Sequence, residues 1–419
     1  MDIPGMAFRK LAVAAAVLLV ALGCGQQQSS GGGAAEKPPG VTDTEILLGS
    51  TFPLSGTASF YAAVARGADA YFKYVNDQGG VNGRKINFKV LDDAYDPSKT
   101  PALTRQLVEE DKIFAAFGTL GTPPNSAVRP YYNEKKVPQM FVFTGASKWG
   151  GEYKKYPWTI GWQPDYVSEA KIYAKDILKN SPNAKIGILY QNDAYGKDLE
   201  QGFKDGLGGK ATSMIVDEET YEANAADVKS QVASLKNKGA DLFLIVCTPT
   251  YAIQALVTAS TLGWKPTIYV NQVANSQVVM KGAIKALGGS NAGTDGVIST
   301  AYLKDPTDAK WDNDKGMQQY RQVLAKYCPS CDVNDGFHIA GMGAAFTMVD
   351  VLKKAGKDLT RQKVMDQARN LNEPDNPFVL PGIRVQTSGD QQFPIHQAQL
   401  EKYMGGKWEL VGSVIDSRK

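Results

Sequence analysis

From residue 45 onward, short runs of β-forming residues alternate with amphipathic helical stretches, and this alternation limits the possible folds more than any other feature. The run "EILLGSTF" is followed by apolar residues at helical spacing between Tyr61 and Val75, and then by the run "KINFKVLD". The alternation continues through "IFAAFG", "PQMFVFTG", "AKIGILYQND", "ATSMIVDEETY", "ADLFLIVCT" and "PTIYVNQ". Strands separated by helices predict parallel sheets built from βαβ units.

These strands are more numerous than one ordinary sheet needs, and a break near "YPWTIGWQPDY" separates two groups. We therefore expect an α/β fold with two Rossmann-like, doubly wound lobes, although the sequence contains no internal repeat. Polar and aromatic residues follow the strands in "TFPLSGTASFY", "GTLGT", "FTGASK", "YQNDAYG", "CTPTY" and "NQVAN". Because open α/β sheets bind ligands beyond the carboxyl ends of their strands, this pattern predicts a cleft between the lobes.

Composition excludes several classes of function. The chain has 419 residues, enough for two domains, and its 46 lysines and arginines nearly balance 43 aspartates and glutamates. Without a run of like charge, the sequence gives no case for nucleic-acid binding. Two histidines leave little material for a metal cluster or for repeated acid and base chemistry, so we expect no metal and no cofactor.

The N-terminus has the order of a secretory signal peptide. Arg9 and Lys10 precede the apolar run "LAVAAAVLLVALG", which ends in small residues before Cys24 and is short for a membrane span. Its end resembles the lipobox of bacterial lipoproteins, so residues 1–23 are predicted to be removed and Cys24 to be lipidated. Plain cleavage and an uncleaved anchor are the alternatives, and Met6 is an alternative start.

The segment after Cys24, residues 24–43, is rich in Gly, Ser, Gln and Pro and is predicted to be a flexible tether. A tether behind a lipid anchor places the protein outside the cytoplasm, in the periplasm or at the cell surface. There, Cys328 and Cys331 of "CPSC" are expected to form a small disulfide in preference to remaining free thiols. Cys247, in the apolar run "DLFLIVCT", is expected to be a buried small hydrophobe.

The stretch "AAFGTLGTPPNSAV" predicts a helix start with unpaired main-chain N–H groups. Thr122 stands where an N-cap is expected and Pro123 where proline is preferred at the first helical position. Such a turn attracts an anion, but the lysine of a phosphate loop does not follow. Thr122 either takes part in binding an anion or only caps its own helix.

Motifs of common enzymes are missing from the sequence. It contains no GxSxG, HExxH or GxGxxG pattern, and His338 and His396 have no partner motif. We therefore expect a protein that is not an enzyme.

The chain resembles the leucine/isoleucine/valine-binding protein family, the extracytoplasmic solute receptors of bacterial ABC importers. The similarity runs from about Thr44 almost to the C-terminus and includes "PLSG", "GGVNGRKI", "DDAYDP", "FGTLGT", "DAYG" and "GADLFLIVCTPT". The order and spacing of these motifs carry the resemblance. It implies two Rossmann-like lobes that are joined by three crossover strands and close on a small ligand by a hinge motion.

The resemblance also implies lobe boundaries and partners. Lobe 1 is expected at residues 44–163 and 300–388 and lobe 2 at residues 164–299 and 389–419, with crossovers near Gln163, Ser299 and Ser388. The expected partners are a small molecule and the membrane permease, and the protein is expected to be a monomer. The alternatives are a ligand-sensing module, which should carry an output segment, and a hydrolase, which should convert its ligand.

Ligand contacts follow from the resemblance position by position. Hydroxyls at Thr122 and Ser147, with main-chain groups near Gly121 and Gly145, are expected to hold a ligand carboxylate. The corresponding pocket walls are aromatic, at Tyr61, Tyr195 and Phe337.

Several positions depart from the family pattern. A disulfide of close relatives would fall at Tyr95 and Gly121, and both cysteines are absent. The glutamate that pairs with the ammonium of an amino acid would fall at Asn271, or at Gln272 with a shifted alignment. A pocket tyrosine is replaced by Thr248, although Tyr251 follows in the next turn.

A neutral amide is a poorer partner for a buried cation than a carboxylate. The ligand is therefore expected to be a hydrophobic amino acid or a related organic acid. A deaminated acid should bind within about tenfold of the matching amino acid.

Overall fold

The computed structural model describes residues 37–373, 375–389 and 392–418. The predicted signal peptide, the lipidated Cys24 and most of the tether lie outside these residues. Two parallel sheets form the frame, and the chain belongs to the α/β class with two Rossmann-like halves.

The first sheet contains β1 (Glu45–Phe52), β2 (Lys85–Asp92), β3 (Ala115–Phe117), β4 (Gln139–Val142) and β5 (Thr159–Gly161). Its strand order is β2-β1-β3-β4-β5, and every neighbouring pair is parallel. This order has a switch point between β1 and β3, where crossovers leave the sheet in opposite directions and open a crevice. The fifth strand lies inside the segment that the sequence shows as a break between the two groups.

The second sheet begins with β6 (Ile186–Gln191), β7 (Ile215–Tyr221), β8 (Leu242–Val246), β9 (Thr267–Val270) and β10 (Ile298–Ala301). A separate two-stranded ribbon follows, made of β11 (Asn372–Glu373) and β12 (Val385–Gln386). The hairpin of β13 (Gln397–Met404) and β14 (Lys407–Asp416) then adds antiparallel strands to the second sheet. The full order is β14-β13-β10-β9-β8-β6-β7, so its parallel part repeats the order of the first sheet without any sequence repeat.

Helices cover the sheets in two groups. Those of the first half are α1 (Ala62–Asp77), α2 (Thr100–Arg105), α3 (Thr122–Glu134), α4 (Lys148–Gly151), α11 (Lys315–Tyr327), α12 (Phe337–Ala355) and α13 (Arg361–Arg369). Those of the second half are α5 (Tyr166–Asn180), α6 (Ala194–Leu207), α7 (Ala211–Met214), α8 (Lys229–Asn237), α9 (Pro249–Thr261) and α10 (Gln277–Ala286). Residues 211–214, predicted as the start of a strand, form the short helix α7, because β7 begins only at Ile215.

The chain passes between the two halves three times, after β5, after β10 and after β12. The crossings agree with the fold class that the sequence indicates, while the residue boundaries of the lobes stay a prediction.

The crossing of α1 and α12 is unusually close. A Cβ atom on Gly67 would lie 2.1 Å from the main-chain oxygen of His338, and one on Gly341 would lie 1.8 Å from that of Val64. Only glycine allows the two backbones to approach to this distance. The crossing matters for function because both helices begin at the cleft.

Candidate functional site

A cavity lies between the two halves, at the carboxyl ends of their parallel strands. The volume open to the centres of water molecules is about 110 Å³. Both halves line it, and the chain segments that connect them form one end. The position agrees with the cleft that the strand-end residues predict.

Tyr61 and Phe337 form the aromatic wall of the first half. Tyr61 directly precedes α1, and Phe337 is the first residue of α12. Their ring centroids lie 5.2 Å apart in an edge-to-face arrangement. The Tyr61 hydroxyl donates across the cleft to the main-chain oxygen of Val273 at 3.0 Å. The close crossing of α1 and α12 therefore fixes both rings against the cavity.

The start of α3 places Gly121, and not Thr122, at the cavity. Gly121 is the N-cap, with φ of 99°, so the prediction that Thr122 takes this position is wrong by one residue. Thr122 is buried, does not line the cavity, and shares a hydrogen bond of 2.6 Å with the Thr144 hydroxyl. The Tyr95 ring lies so close to Gly121 that a Cβ there would be 2.5 Å from the ring, which brings together the two positions of the missing disulfide.

Gly145 and Ser147 lie outside the cavity lining. The main-chain oxygen of Gly145 accepts a hydrogen bond from Tyr166 N at 2.8 Å, and the Tyr166 ring covers this glycine. Ser147 is exposed, and its main-chain N–H donates across the cleft to Asp198 Oδ2 at 2.7 Å. A carboxylate of the protein itself therefore binds the main-chain N–H of Ser147, the residue whose hydroxyl was expected to hold the ligand.

The second half contributes Tyr195, Thr248 and Gln272 to the lining. The Tyr195 hydroxyl donates to Asn271 Oδ1 at 2.7 Å, so the fully buried Asn271 orients this ring from behind without lining the cavity. The main-chain N–H of Gln272 donates to Glu169 Oε1 at 2.7 Å. Burial raises the pKa of Glu169 to about 7, and hydrogen bonds from Tyr173 and Gln272 limit the rise.

Tyr251 does not replace the missing pocket tyrosine. Its hydroxyl lies 2.9 and 2.8 Å from the main-chain oxygens of Ala223 and Ala225, and its one hydrogen is shared between them. Its position leaves Thr248 as the residue that lines the cavity beside α9.

Two carboxyl groups that the sequence analysis missed line the cavity, on Glu401 and Asp305. Glu401 lies on β13, and Asp305 lies in the segment after β10. Burial raises the pKa of Glu401 well above its usual value, and the neighbouring Asp305 charge adds to the rise. Burial also raises the pKa of Asp305. No local motif marks them, because only the antiparallel pairing of β10 with β13 brings these distant segments together.

Direct hydrogen bonds join the two halves across the cleft. Thr250 Oγ1 donates to the main-chain oxygen of Thr57 at 2.5 Å, and Thr57 Oγ1 donates to that of Ala223 at 3.3 Å. Ser276 Oγ donates to Asp335 Oδ1 at 3.0 Å. The structure therefore represents a closed form, in which a ligand would be largely surrounded by protein.

Features outside the cleft include the cysteines. Cys328 and Cys331 form a disulfide, and Cys247 is a buried free thiol. In the part of the chain that the structure describes, no helix is both long and apolar enough to cross a membrane. Within the same residues, no group of three or more histidine, cysteine, aspartate or glutamate side chains is placed to hold a metal ion.

Comparison with known proteins gives one consistent result. The family model described as periplasmic binding protein matches residues 45–406. A curated relative, Leu/Ile/Val-binding protein homolog 7 of Brucella suis biovar 1 (strain 1330), is 26% identical over 236 residues, which are 54% of this chain. The match spans 58% of that relative's length.

Solved structures share the whole fold. A fatty acid ABC transporter substrate-binding protein from Thermomonospora curvata superposes with a TM-score of 0.74 and 20% identity, over 91% of this chain and 95% of that one. A branched chain amino acid ABC transporter protein from Thermus thermophilus with bound valine gives 0.77 and 16%, over 90% and 97%. At these identities, the likeness establishes the fold.

Proposed function

Because the chain belongs to the periplasmic binding protein family, we propose that it is the extracytoplasmic solute receptor of an ABC importer and encloses a small carboxylate-bearing ligand in its cleft. The observation that carries the proposal is the cavity between two Rossmann-like halves, with aromatic walls at Tyr61, Phe337 and Tyr195 and with polar side chains elsewhere in its lining. Such a cavity suits a ligand with an apolar body and a polar end. The protein binds this ligand and does not convert it.

The ligand is a hydrophobic amino acid or a related organic acid. Two of the similar solved structures support this class, since one is a fatty acid ABC transporter protein and the other holds bound valine. Fatty acids and valine both join a carboxylate to an apolar body. The residues proposed to contact the ligand line the cavity, namely Tyr61, Gly121, Tyr195, Thr248, Gln272 and Phe337.

The remaining four candidate residues act from behind this lining. Asn271 orients the Tyr195 ring, and the hydroxyl of Thr122 holds Thr144 beneath the cleft. Gly145 leaves room for the Tyr166 ring, and Ser147 joins the halves through Asp198. The main-chain N–H of Thr122, at the start of α3 beside Gly121, is the proposed contact for the carboxylate. Pro123 and Pro124 carry no N–H, and the N–H groups of Gly121 and Asn125 donate to main-chain oxygens.

The location follows from the same proposal. Residues 1–23 direct export, Cys24 carries the lipid, and the tether to residue 43 holds the folded body near the membrane. The body works as a monomer and delivers its ligand to the permease in that membrane.

A matched panel of compounds tests the receptor. It contains leucine and phenylalanine, their deaminated forms 4-methylpentanoate and 3-phenylpropanoate, and the amines 3-methylbutylamine and 2-phenylethylamine. At least one compound should raise the melting temperature, because a ligand at about 100 times its Kd stabilises the folded state by roughly 2.7 kcal/mol. Mass spectrometry should recover that compound unchanged.

A pair of variants controls for binding in the cleft. Ala340→Leu adds bulk to the cavity wall and should reduce the stabilisation, whereas Ala102→Leu on the exposed face of α2 should preserve it. If no compound stabilises the protein, the proposed ligand class is wrong. A chemically altered compound would instead identify an enzyme.

A further inference from the structure

We propose that the part of the cavity wall formed by β13, the start of α10 and the segment after β10 binds a protonated primary amine of the ligand, through the carboxyl groups of Glu401 and Asp305 and the side-chain oxygen of Gln277. The inference rests on the proposed function and specifies the ligand of the same cleft. The family resemblance places the partner of a ligand amine at Asn271. The proposed site instead uses residues on other elements of the fold.

Glu401 is buried, Asp305 is half-buried, and neither carboxyl group has a cation beside it in the described part of the chain. Glu401 is 3% exposed, and its Oε1 accepts a hydrogen bond from Asn275 Nδ2 at 2.6 Å. Asp305 Oδ1 accepts from the main-chain N–H and the hydroxyl of Thr307, at 2.8 and 2.9 Å. Asp305 Oδ2 is buried without a hydrogen-bond partner. Among the residues that the structure describes, neither carboxyl group takes part in an ion pair within 4 Å.

Gln277 gives an independent indication of a ligand. It is 5% exposed and lines the cavity, and its Nε2 donates to the main-chain oxygen of Gly406 at 2.5 Å and to the Tyr403 hydroxyl at 3.3 Å. These bonds fix the orientation of the amide, so Oε1 is the acceptor left over, and it is buried without a partner. A buried acceptor without a partner costs about 1 to 3 kcal/mol, which a donor on the ligand would offset.

The three acceptors belong to one region of the wall. Asn275 Nδ2 donates both to Glu401 on β13 and to the main-chain oxygen of Thr300 on β10. These two bonds hold Glu401 close to the end of β10, and Asp305 follows that strand shortly afterwards in the chain. Tyr403, which receives the bond from Gln277, is two residues beyond Glu401 on the same face of β13. The charge of Asp305 also raises the pKa of Glu401 and that of Tyr403, as expected for neighbouring groups.

Nearby lysines do not neutralise this region. Lys304 lines the cavity, but its Nζ donates to Asp314 Oδ2 at 2.8 Å and to the main-chain oxygen of Pro377 at 2.9 Å. Lys281 is exposed, and it lowers the pKa of Asp305 from a distance without forming an ion pair with it. A positive charge on the ligand would match the two carboxyl groups and favour their ionised forms.

A primary ammonium fits this set of acceptors. It carries one positive charge and three N–H donors, and Glu401, Asp305 and Gln277 offer acceptor oxygens. The proposed amine site therefore predicts the opposite of the expectation, which followed from the neutral Asn271, that a deaminated acid binds almost as well as its amino acid.

Calorimetry on matched ligands tests the site. The probe is the panel compound with an amine that stabilises the wild-type protein most, compared with its deaminated form. The wild type should bind the amine-bearing compound at least tenfold more tightly. Glu401→Gln and Asp305→Asn should each weaken its binding by about tenfold or more, corresponding to about 1.4 kcal/mol, and change binding of the deaminated compound by less than about threefold.

The control variant is Glu409→Gln, on the exposed face of the same hairpin, and it should bind both compounds as the wild type does. Melting temperatures show whether each variant is folded. If only one of Glu401→Gln and Asp305→Asn folds, that variant suffices for the test. Equal losses for both compounds, no loss for either, or stabilisation only by compounds without an amine would overturn the amine site. If no panel compound binds to the wild type, the proposed ligand class fails first, and the amine site fails with it.

Discussion

Gly341→Ala is expected to lower the stability of the protein by about 3 kcal/mol or more, because its Cβ would lie 1.8 Å from the main-chain oxygen of Val64. Neither helix can relieve this contact by changing a side-chain rotamer, since the clash involves the backbone of α1. The helices must separate, and the rings of Tyr61 and Phe337 at their starts would separate with them. Ligand binding should therefore weaken together with stability.

Gly343→Ala is the matched control, two residues farther along α12. A Cβ there would meet the Trp162 ring at 3.5 Å, which is an ordinary van der Waals contact. Alanine also favours a helix interior over glycine by up to about 1 kcal/mol. This variant should melt at or above the wild-type temperature, whereas Gly341→Ala should melt roughly 4 °C lower or more, since the entropy of unfolding is about 2.1 cal/mol/K per residue. Equal melting temperatures would show that the close crossing is not needed.

The free energy of unfolding should decrease as the pH rises from about 5 to about 8. Burial raises the pKa of Glu169 and of Glu373 to about 7, and that of Asp93 and of Asp335 to about 6. These carboxyl groups have higher pKa values in the folded than in the unfolded protein, so the folded state holds more protons in this range. Their contribution is complete below the unfolded pKa values and is lost as the pH rises through the folded ones.

The histidines act in the opposite direction. Burial lowers the pKa of His338 to about 4, so its effect reduces stability as the pH falls below about 6.5. Four carboxyl groups oppose this one histidine. The raised pKa of each glutamate contributes at most about 3 kcal/mol to the free energy of unfolding at acidic pH. The highest stability is therefore expected at mildly acidic pH.

Glu373→Gln isolates one of these groups. Glu373 Oε2 accepts hydrogen bonds from Thr347 Oγ1 and Asn376 Nδ2, at 2.5 and 3.2 Å, and a glutamine oxygen can accept both without ionising. Urea unfolding at several pH values should show a smaller decline for this variant than for the wild type, and an unchanged decline for Glu134→Gln at an exposed position. A wild-type stability that rises from pH 5 to pH 8 would contradict the assignment.

The frame of the fold could be predicted because it depends on local patterns. Apolar runs such as residues 242–246 are short and β-rich, and helical spacing follows them, so the sequence indicates parallel strands in two groups. The sequence does not indicate that the two sheets share one strand order, because the residues of the two sheets are not similar to each other. Residues 211–214 were assigned to a strand because their apolar character does not show where β7 begins.

Site residues could be predicted where the resemblance to the leucine/isoleucine/valine-binding protein family supplies an aromatic wall position, and these positions lie at or beside helix starts. Tyr61, Tyr195 and Phe337 are of this kind, and the structure places all three on the cavity wall. Thr122 and Ser147 have suitable hydroxyls, but whether a hydroxyl faces the ligand depends on neighbours such as Thr144 and Asp198.

The acidic part of the cavity wall could not be predicted from the sequence, because its residues meet only in the folded structure. Glu401 and Asp305 are almost a hundred residues apart, and the return of the chain to the second sheet through β13 brings them to one wall. Contacts of this kind carry no signal in a single sequence. In the proposed amine site, they are also the contacts expected to favour an amino acid over its deaminated form.

Small-angle X-ray scattering tests the central claim, that the two halves close on a solute. The protein is measured alone and with a saturating amount of the panel compound that stabilises it most. Three chain crossings limit the motion to a hinge, so the radius of gyration should decrease on binding, as the halves reach the closed form held by Thr250, Ser276 and Asp198. An unchanged radius of gyration at saturation would contradict closure of the cleft around its ligand.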